Sequence, residues 1–201
     1  VAKAGEKKRF APGDSVSVVL IAGDNSAAPN GTVTWVGGKK NDEILAFGHP
    51  LYGNGPSRYP IADARVHVII PSYERSMKIS SPLAIQGSMI QDRQAAISLR
   101  TDIESPMIPV TTRLVAPEGK LAPVEYHSQV ADSVALTPAL VGALMLDAIE
   151  EVGSDAVDVT LSTQHKISVV TSKGPRTLEI AQEDYFASGV SRRAVGQSRA
   201  Q

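Results

Sequence analysis

Read as a pattern of apolar and polar positions, the chain changes period about halfway along. Short runs rich in β-branched residues come first, each closed by Gly, Pro, Asn or Asp, which is the signature of strands joined by tight turns. Ser15-Val16-Ser17-Val18-Val19-Leu20-Ile21-Ala22 and Thr32-Val33-Thr34-Trp35-Val36 are the first two. Gly37-Gly38-Lys39-Lys40-Asn41-Asp42 then turns the chain into a strand from Glu43 to Phe47, so residues 32–47 predict a hairpin. Residues 50–60 hold three prolines and two glycines. They predict a loop, because proline fixes φ and removes a ladder donor. Past it, Ala64, Val66, Val68 and Ile70 alternate with Asp63, Arg65 and His67, predicting a half-buried strand over 62–70. Further strands are predicted at 77–79, 84–90 and 95–100, and nothing before residue 104 has a helical period.

The second half adds a helix. After strands predicted at 108–115 and 124–130, Leu140, Val141, Leu144, Met145, Ala148, Ile149 and Val152 fall on one stripe at helical spacing. Thr137 stands ready as N-cap, Pro138 suits the first helical position, and Gly153 closes the segment, predicting a helix over 137–152. Its apolar face calls for a sheet, predicted from 156–162, 165–171 and 177–181, with Lys173-Gly174-Pro175 turning between the last two. Lys3, Lys7, Lys8 and Arg9 surround one glutamate ahead of the Pro12-Gly13-Asp14 turn, which predicts a flexible basic arm. The last eleven residues, with three arginines and no apolar period, predict a frayed tail. The expected organisation is thus an arm (1–13), a β domain (14–104), a smaller α+β unit (105–190) and a tail (191–201), mainly β in class.

Composition narrows function by exclusion. A chain of 201 residues buries roughly two-thirds of its unfolded surface without staples. The absence of cysteine removes thiol nucleophiles, thiolate metal sites and disulfides. Twenty basic against 21 acidic residues and 4% aromatics lack both the charge and the stacking surface of a nucleic-acid binder. No apolar run approaches the ~20 residues of a membrane span. The opening VAKAGEKKRF has neither an initiator methionine nor a signal-peptide core, so a processing boundary at Val1, with more protein upstream, is the expectation.

The four histidines, at 49, 67, 127 and 165, are too far apart for a His-x-x-x-His site, and Asp24, Asp42 and Asp155 do not make a calcium loop. No metal and no cofactor are expected. Gly48, Gly53 and Gly55 are followed by neither a lysine nor a helix, so they are not a phosphate loop. His49 is the sharper candidate. A histidine at a strand end is more often a turn or hydrogen-bonding residue than a catalyst. This one, however, sits between Gly48 and Pro50, a stiff corner from which a ring can act as general base.

Pro12-Gly13-Asp14, Gly31-Thr32-Val33-Thr34, Ala46-Phe47-Gly48-His49-Pro50 and Gln91-Asp92-Arg93-Gln94-Ala95-Ala96-Ile97 together resemble the SpoIVB-type serine peptidases, and most closely their larger relatives in the bacterial envelope. The resemblance covers residues 12 to about 100. It implies a chymotrypsin-like β-barrel, a protein or peptide substrate, and His49 as the histidine that activates a serine hydroxyl. The family's Gly-x-Ser-Gly-Ser-Pro motif has no counterpart in this chain; Ser188-Gly189 is its only Ser-Gly pair. The nucleophile is therefore expected on an upstream segment or a partner chain, and this fragment alone is expected to be inactive. Ser72, Ser76, Ser80, Ser81 and Ser88 each have an ordinary reading as turn or edge hydroxyls, and none is chosen. Asp63 is the candidate carboxylate to orient His49. Asp92 and Arg93 read as structural, an ion pair or a tie on a loop. The resemblance also implies an extracytoplasmic bacterial location, and the odd N-terminus is compatible with self-processing. The competing expectation is a non-catalytic β-rich module that binds an extended peptide at a sheet edge, such as 62–70 or 156–171, or serves in assembly.

Overall fold

The buried run Val16–Ile21 organises the fold around it. In the computed structural model, which describes residues 7–74, 76–115, 123–153 and 158–187, each of its six residues is buried. A strand covered on both faces loses the polar alternation of a one-sided sheet. Here the run serves two sheets in turn. Strand β1 (Ser15–Val18) lies between β3 (Asn30–Gly37) and β5 (Gly55–Ile70), whereas β2 (Ile21–Gly23) pairs with β9 (Val124–Ala131). The single strand predicted over 15–22 is broken at Val19 and Leu20, whose N–H groups go instead to the carbonyls of Pro60 and Ala27.

With β4 (Glu43–Ala46), β6 (Met77–Arg93) and β7 (Ala96–Arg100), the strands close an antiparallel barrel in the order β1-β3-β4-β7-β6-β5. Val16, Val33, Ile44, Ile61, Met89 and Leu99 fill it, each with at most 1% of its surface exposed. Full burial of side chains this size is worth about 1.5–3 kcal/mol apiece. The mainly β class, a barrel unit followed by a smaller helix-bearing part, is as the sequence predicts.

Several local expectations change. Residues 7–13 are docked on the barrel: Phe10 is buried in the core cluster, the Lys8 N–H donates to Gln86 Oε1, and Lys8 pairs with Asp14 at 3.4 Å. One buried aromatic anchors a segment that also carries Lys7, Lys8 and Arg9, with Lys7 Nζ donating to the Thr101 carbonyl and Lys8 lying over the Phe10 ring. Strand β5 starts at Gly55 and so absorbs Pro56 and Pro60. Both are tolerated because the ladder shifts register between Pro56 and Tyr59 and again after Ile61, and because Pro60 contributes its carbonyl, to Val19. The strands predicted at 77–79 and 84–90 merge into the 17-residue β6. At Gly87 an added Cβ would lie 2.1 Å from the Arg100 carbonyl oxygen, so this glycine allows a close backbone approach rather than a break.

Arg100 ends β7 in a cluster of acids, 3.0 Å from Asp42, 3.2 Å from Glu43 and 2.6 Å from Asp102. The hydrogen bond to Asp102 raises the guanidinium pKa further and, in return, holds the Asp102 carboxyl below its ordinary value.

A second sheet runs β2-β9-β8, with β8 spanning Met107–Leu114. Its first strand precedes residue 24 and its others follow residue 106, so it draws both sides of the predicted boundary at 104 into one compact unit, Val1–Val141. Helix α1 (Thr137–Gly153) forms where predicted, but its cap differs. Ser133 Oγ accepts the Leu136 N–H at 3.3 Å, the N-cap relation. Thr137 instead accepts the Ser133 N–H at 2.8 Å and donates to the Ala131 carbonyl. Among the described residues, the second unit, Gly142–Gln201, holds the rest of α1 and one hairpin. In it β10 (Asp158–Thr171) and β11 (Gly174–Ala187) pair around Ser172–Lys173, two strands in place of the three predicted. The predicted tail and Ser188-Gly189 lie outside the described residues.

Candidate functional site

The chain leaves β4 at an abrupt corner. Phe47 has φ of 75° and Gly48 of 74°, so two successive residues take the left-handed conformation. For a phenylalanine this costs on the order of 1–3 kcal/mol and persists only where the surroundings impose it. Two contacts do so. The Phe47 N–H donates to the Thr32 carbonyl at 2.9 Å, and the ring lies so close on Gly31 that a Cβ there would sit 2.1 Å from its Cδ1. Gly31 is small because Phe47 needs the space. At Gly48 a Cβ would meet nothing within 4 Å, so glycine is demanded there by φ and not by crowding.

His49 projects from this corner, exposed to solvent, its ring centroid 5.6 Å from that of Phe47. Its Nδ1 lies 2.7 Å from the carbonyl oxygen of Pro50. A carbonyl can only accept, so Nδ1 carries the proton. In the neutral ring Nε2 then presents its lone pair, the tautomer a general base requires. Pro50 thus sets the tautomer through its carbonyl as well as stiffening the backbone.

The rest of the loop is held by a residue whose chemistry the sequence hides. Asp92, near the end of β6, is 1% exposed, and its carboxylate accepts the backbone N–H groups of Leu51, Tyr52 and Gly53, each at 2.8 Å. A buried carboxylate is tolerable when its lone pairs are filled in this way. The donors lie 39 to 41 residues away, and no short-range pattern announces them. Arg93, the obvious partner by proximity, turns outward, and its Nε–H donates to Gln91 Oε1 at 3.0 Å. Of the two structural roles expected for Asp92 and Arg93, the structure shows the tie on a loop, made by Asp92 alone.

Asp63 is engaged elsewhere. Its Oδ1 accepts the Ala84 N–H at 2.9 Å and a Gln86 amide hydrogen at 3.3 Å, replacing ladder bonds lost where β5 and β6 slip register. Among the described residues no hydrogen bond joins Asp63 to His49, and the acceptor at Nδ1 is the Pro50 carbonyl. Nor does a serine hydroxyl bond to His49 among them. Ser88 is buried, donates to the Met89 carbonyl and touches the Ser105 hydroxyl. Ser72 and Ser76 bond each other across a turn. Ser81 Oγ lies 2.9 Å from Nε2 of another histidine, His67.

Among the described residues no group of three or more His, Asp or Glu side chains is arranged to hold a metal ion, and no helix is long and apolar enough to cross a membrane. Chemically, the corner offers one exposed imidazole with Nδ1 held by a carbonyl, on a backbone clamped from both sides, and among the described residues no nucleophile is bonded to it. Compared with protein families, with characterised proteins and with solved structures, the chain matches no family model, no curated protein and no solved structure.

Proposed function

We propose that this chain supplies the histidine half of a SpoIVB-like serine endopeptidase, with His49 as general base and the nucleophilic serine on a segment or partner that carries the Gly-x-Ser-Gly-Ser-Pro motif. The observation that carries the reading is the Nδ1 to Pro50 carbonyl hydrogen bond on an exposed ring, which in the neutral imidazole directs the Nε2 lone pair outward to a hydroxyl. In the proposed reaction Nε2 takes the serine proton as Oγ bonds to the scissile carbonyl carbon. The imidazolium then returns a proton to the amine nitrogen as the C–N bond breaks, and water completes hydrolysis of the acyl-enzyme by the same base. The Pro50 carbonyl takes the part of the orienting acceptor, in place of the carboxylate expected at Asp63. The Asp92 clamp is a positioning device for the backbone that follows the ring. The substrate is a polypeptide, and an extracytoplasmic site of action belongs to the same reading.

A fluorophosphonate probe tests it on the protein assembled with its serine-bearing segment. Covalent labelling at that serine is expected, and His49→Ala is expected to slow it by about a thousandfold or more, the usual effect of removing a base from a serine–histidine pair. Labelling that His49→Ala leaves unchanged overturns the reading.

A further inference from the structure

Past Asp63, β5 leaves the barrel in partnership with β6 alone. Its last residue opposite β1 is Asp63, across from Val16, and β6 meets β7 only from Ser88 onward. Residues 64–70 and 77–82 therefore form a two-stranded arm whose outer edges pair with no strand among the described residues. The arm is apolar without being covered: Val68, Ile69, Ile70, Met77 and Ile79 are each 42–60% exposed. These side chains alternate between both faces, so no single flat partner covers them. Unpaired backbone donors and acceptors beside exposed apolar side chains are what an incoming strand recognises.

Two observations choose the edge and the occupant. Below the arm the N-terminal segment contacts β6, where the Lys8 N–H donates to the Gln86 side-chain oxygen, and the incoming strand is accordingly assigned to the β5 edge. The arm is also tied beside the histidine corner: Lys78 Nζ donates to Thr32 Oγ1 at 2.5 Å, and the carbonyl of the same Thr32 accepts the Phe47 N–H. Residues 64–70 and 77–82 carry two cations, Arg65 and Lys78, and no carboxylate. A net charge of +2 opposes pairing of two arms and favours an acidic guest.

We infer that residues 64–70 of β5 bind an extended peptide as an added strand, one in which apolar side chains alternate with acidic ones. The inference rests on the endopeptidase reading for its consequence, that this arm selects the substrate presented to His49, but the binding event needs no nucleophile.

A fluorescein-labelled peptide of alternating valine and glutamate, about ten residues long, is titrated into the full chain and followed by anisotropy. Saturable binding is expected, weaker at high salt, together with slowed amide exchange in residues 64–70. The double substitution Val68→Thr/Ile79→Thr is expected to weaken it about tenfold with an unchanged circular-dichroism spectrum. A peptide methylated on alternate amide nitrogens, which needs no protein variant, is expected not to bind. His49→Ala is expected to bind as the parent does, so a failure of catalysis and a failure of docking are read separately. No binding, equal binding of the methylated peptide, or sedimentation showing a dimer that Val68→Thr/Ile79→Thr dissociates each overturns the inference.

Discussion

The corner at residues 47–55, which follows β4, and the arm of residues 64–70 and 77–82, which continues β5 and β6, belong to the same barrel and are held in opposite ways. In the corner, a buried carboxylate takes three consecutive N–H groups, a ring is seated on a glycine, and a carbonyl fixes the tautomer of the one catalytic candidate. In the arm, backbone groups along two edges have no strand partner among the described residues, and the largest apolar side chains are about half exposed. The corner is a preorganised site, its geometry settled before anything binds; the arm is a surface whose interactions are still to be made. On the proposed reading, this divides the labour between aiming one imidazole and docking an extended peptide.

The contrast breaks most readily at Asp92. Asp92→Ala leaves three part-buried loop N–H groups without their acceptor, and a loss of about 3 kcal/mol is expected, the upper end for polar groups left unsatisfied. Urea denaturation gives the number, and hydrogen exchange at Leu51, Tyr52 and Gly53 gives the location. An alanine variant that loses less than about 1 kcal/mol with those amides still protected would mean that the loop is held by something other than this carboxylate.

Gly31→Ala probes the same corner from beneath. The new methyl meets the Phe47 ring, 2.1 Å from Cδ1, and the ring must move or its backbone must relax. Overpacking of this kind is expected to cost about 1–3 kcal/mol. Because the Phe47 and His49 rings are neighbours, the His49 Cε1–H resonance is expected to shift in the variant. A shift at His67 with none at His49 would separate Gly31 from the site.

How far this was legible follows from the range of the interactions. The end of β4, the turn at Gly48-His49-Pro50 and the strands on either side are written in local chemistry, because glycine, proline and β-branched residues act on their immediate neighbours. The role of Asp92 is not, since its partners are separated by most of β5 and β6, and adjacent Arg93 supplies a plausible but false partner. Phe47 was equally opaque: nothing in an aromatic residue at a strand end announces a positive φ. Phe10 shows the converse failure, a single apolar anchor hidden among cations. Thr137 suits a helix start by its place ahead of Pro138, and only the geometry assigns the capping hydrogen bond to Ser133.

The arm sharpens the comparison with the smallest expected effect. Val68→Thr and Ile79→Thr keep branching at Cβ and hence the preference for strand, and remove apolar surface that folding leaves about half exposed. Each is expected to change stability by less than about 0.5 kcal/mol, the usual range for surface positions. Val68 and Ile79 are cross-strand partners, so the pair of changes is measured both singly and together to expose coupling between them. A cost above about 1.5 kcal/mol for either would mean that the arm is already packed in solution, and the distinction from the corner would fail. A negligible cost to folding beside a tenfold cost to peptide binding has the opposite meaning: apolar surface that contributes little to the chain's own stability is retained for a partner, in the part of the molecule that its backbone leaves unpaired.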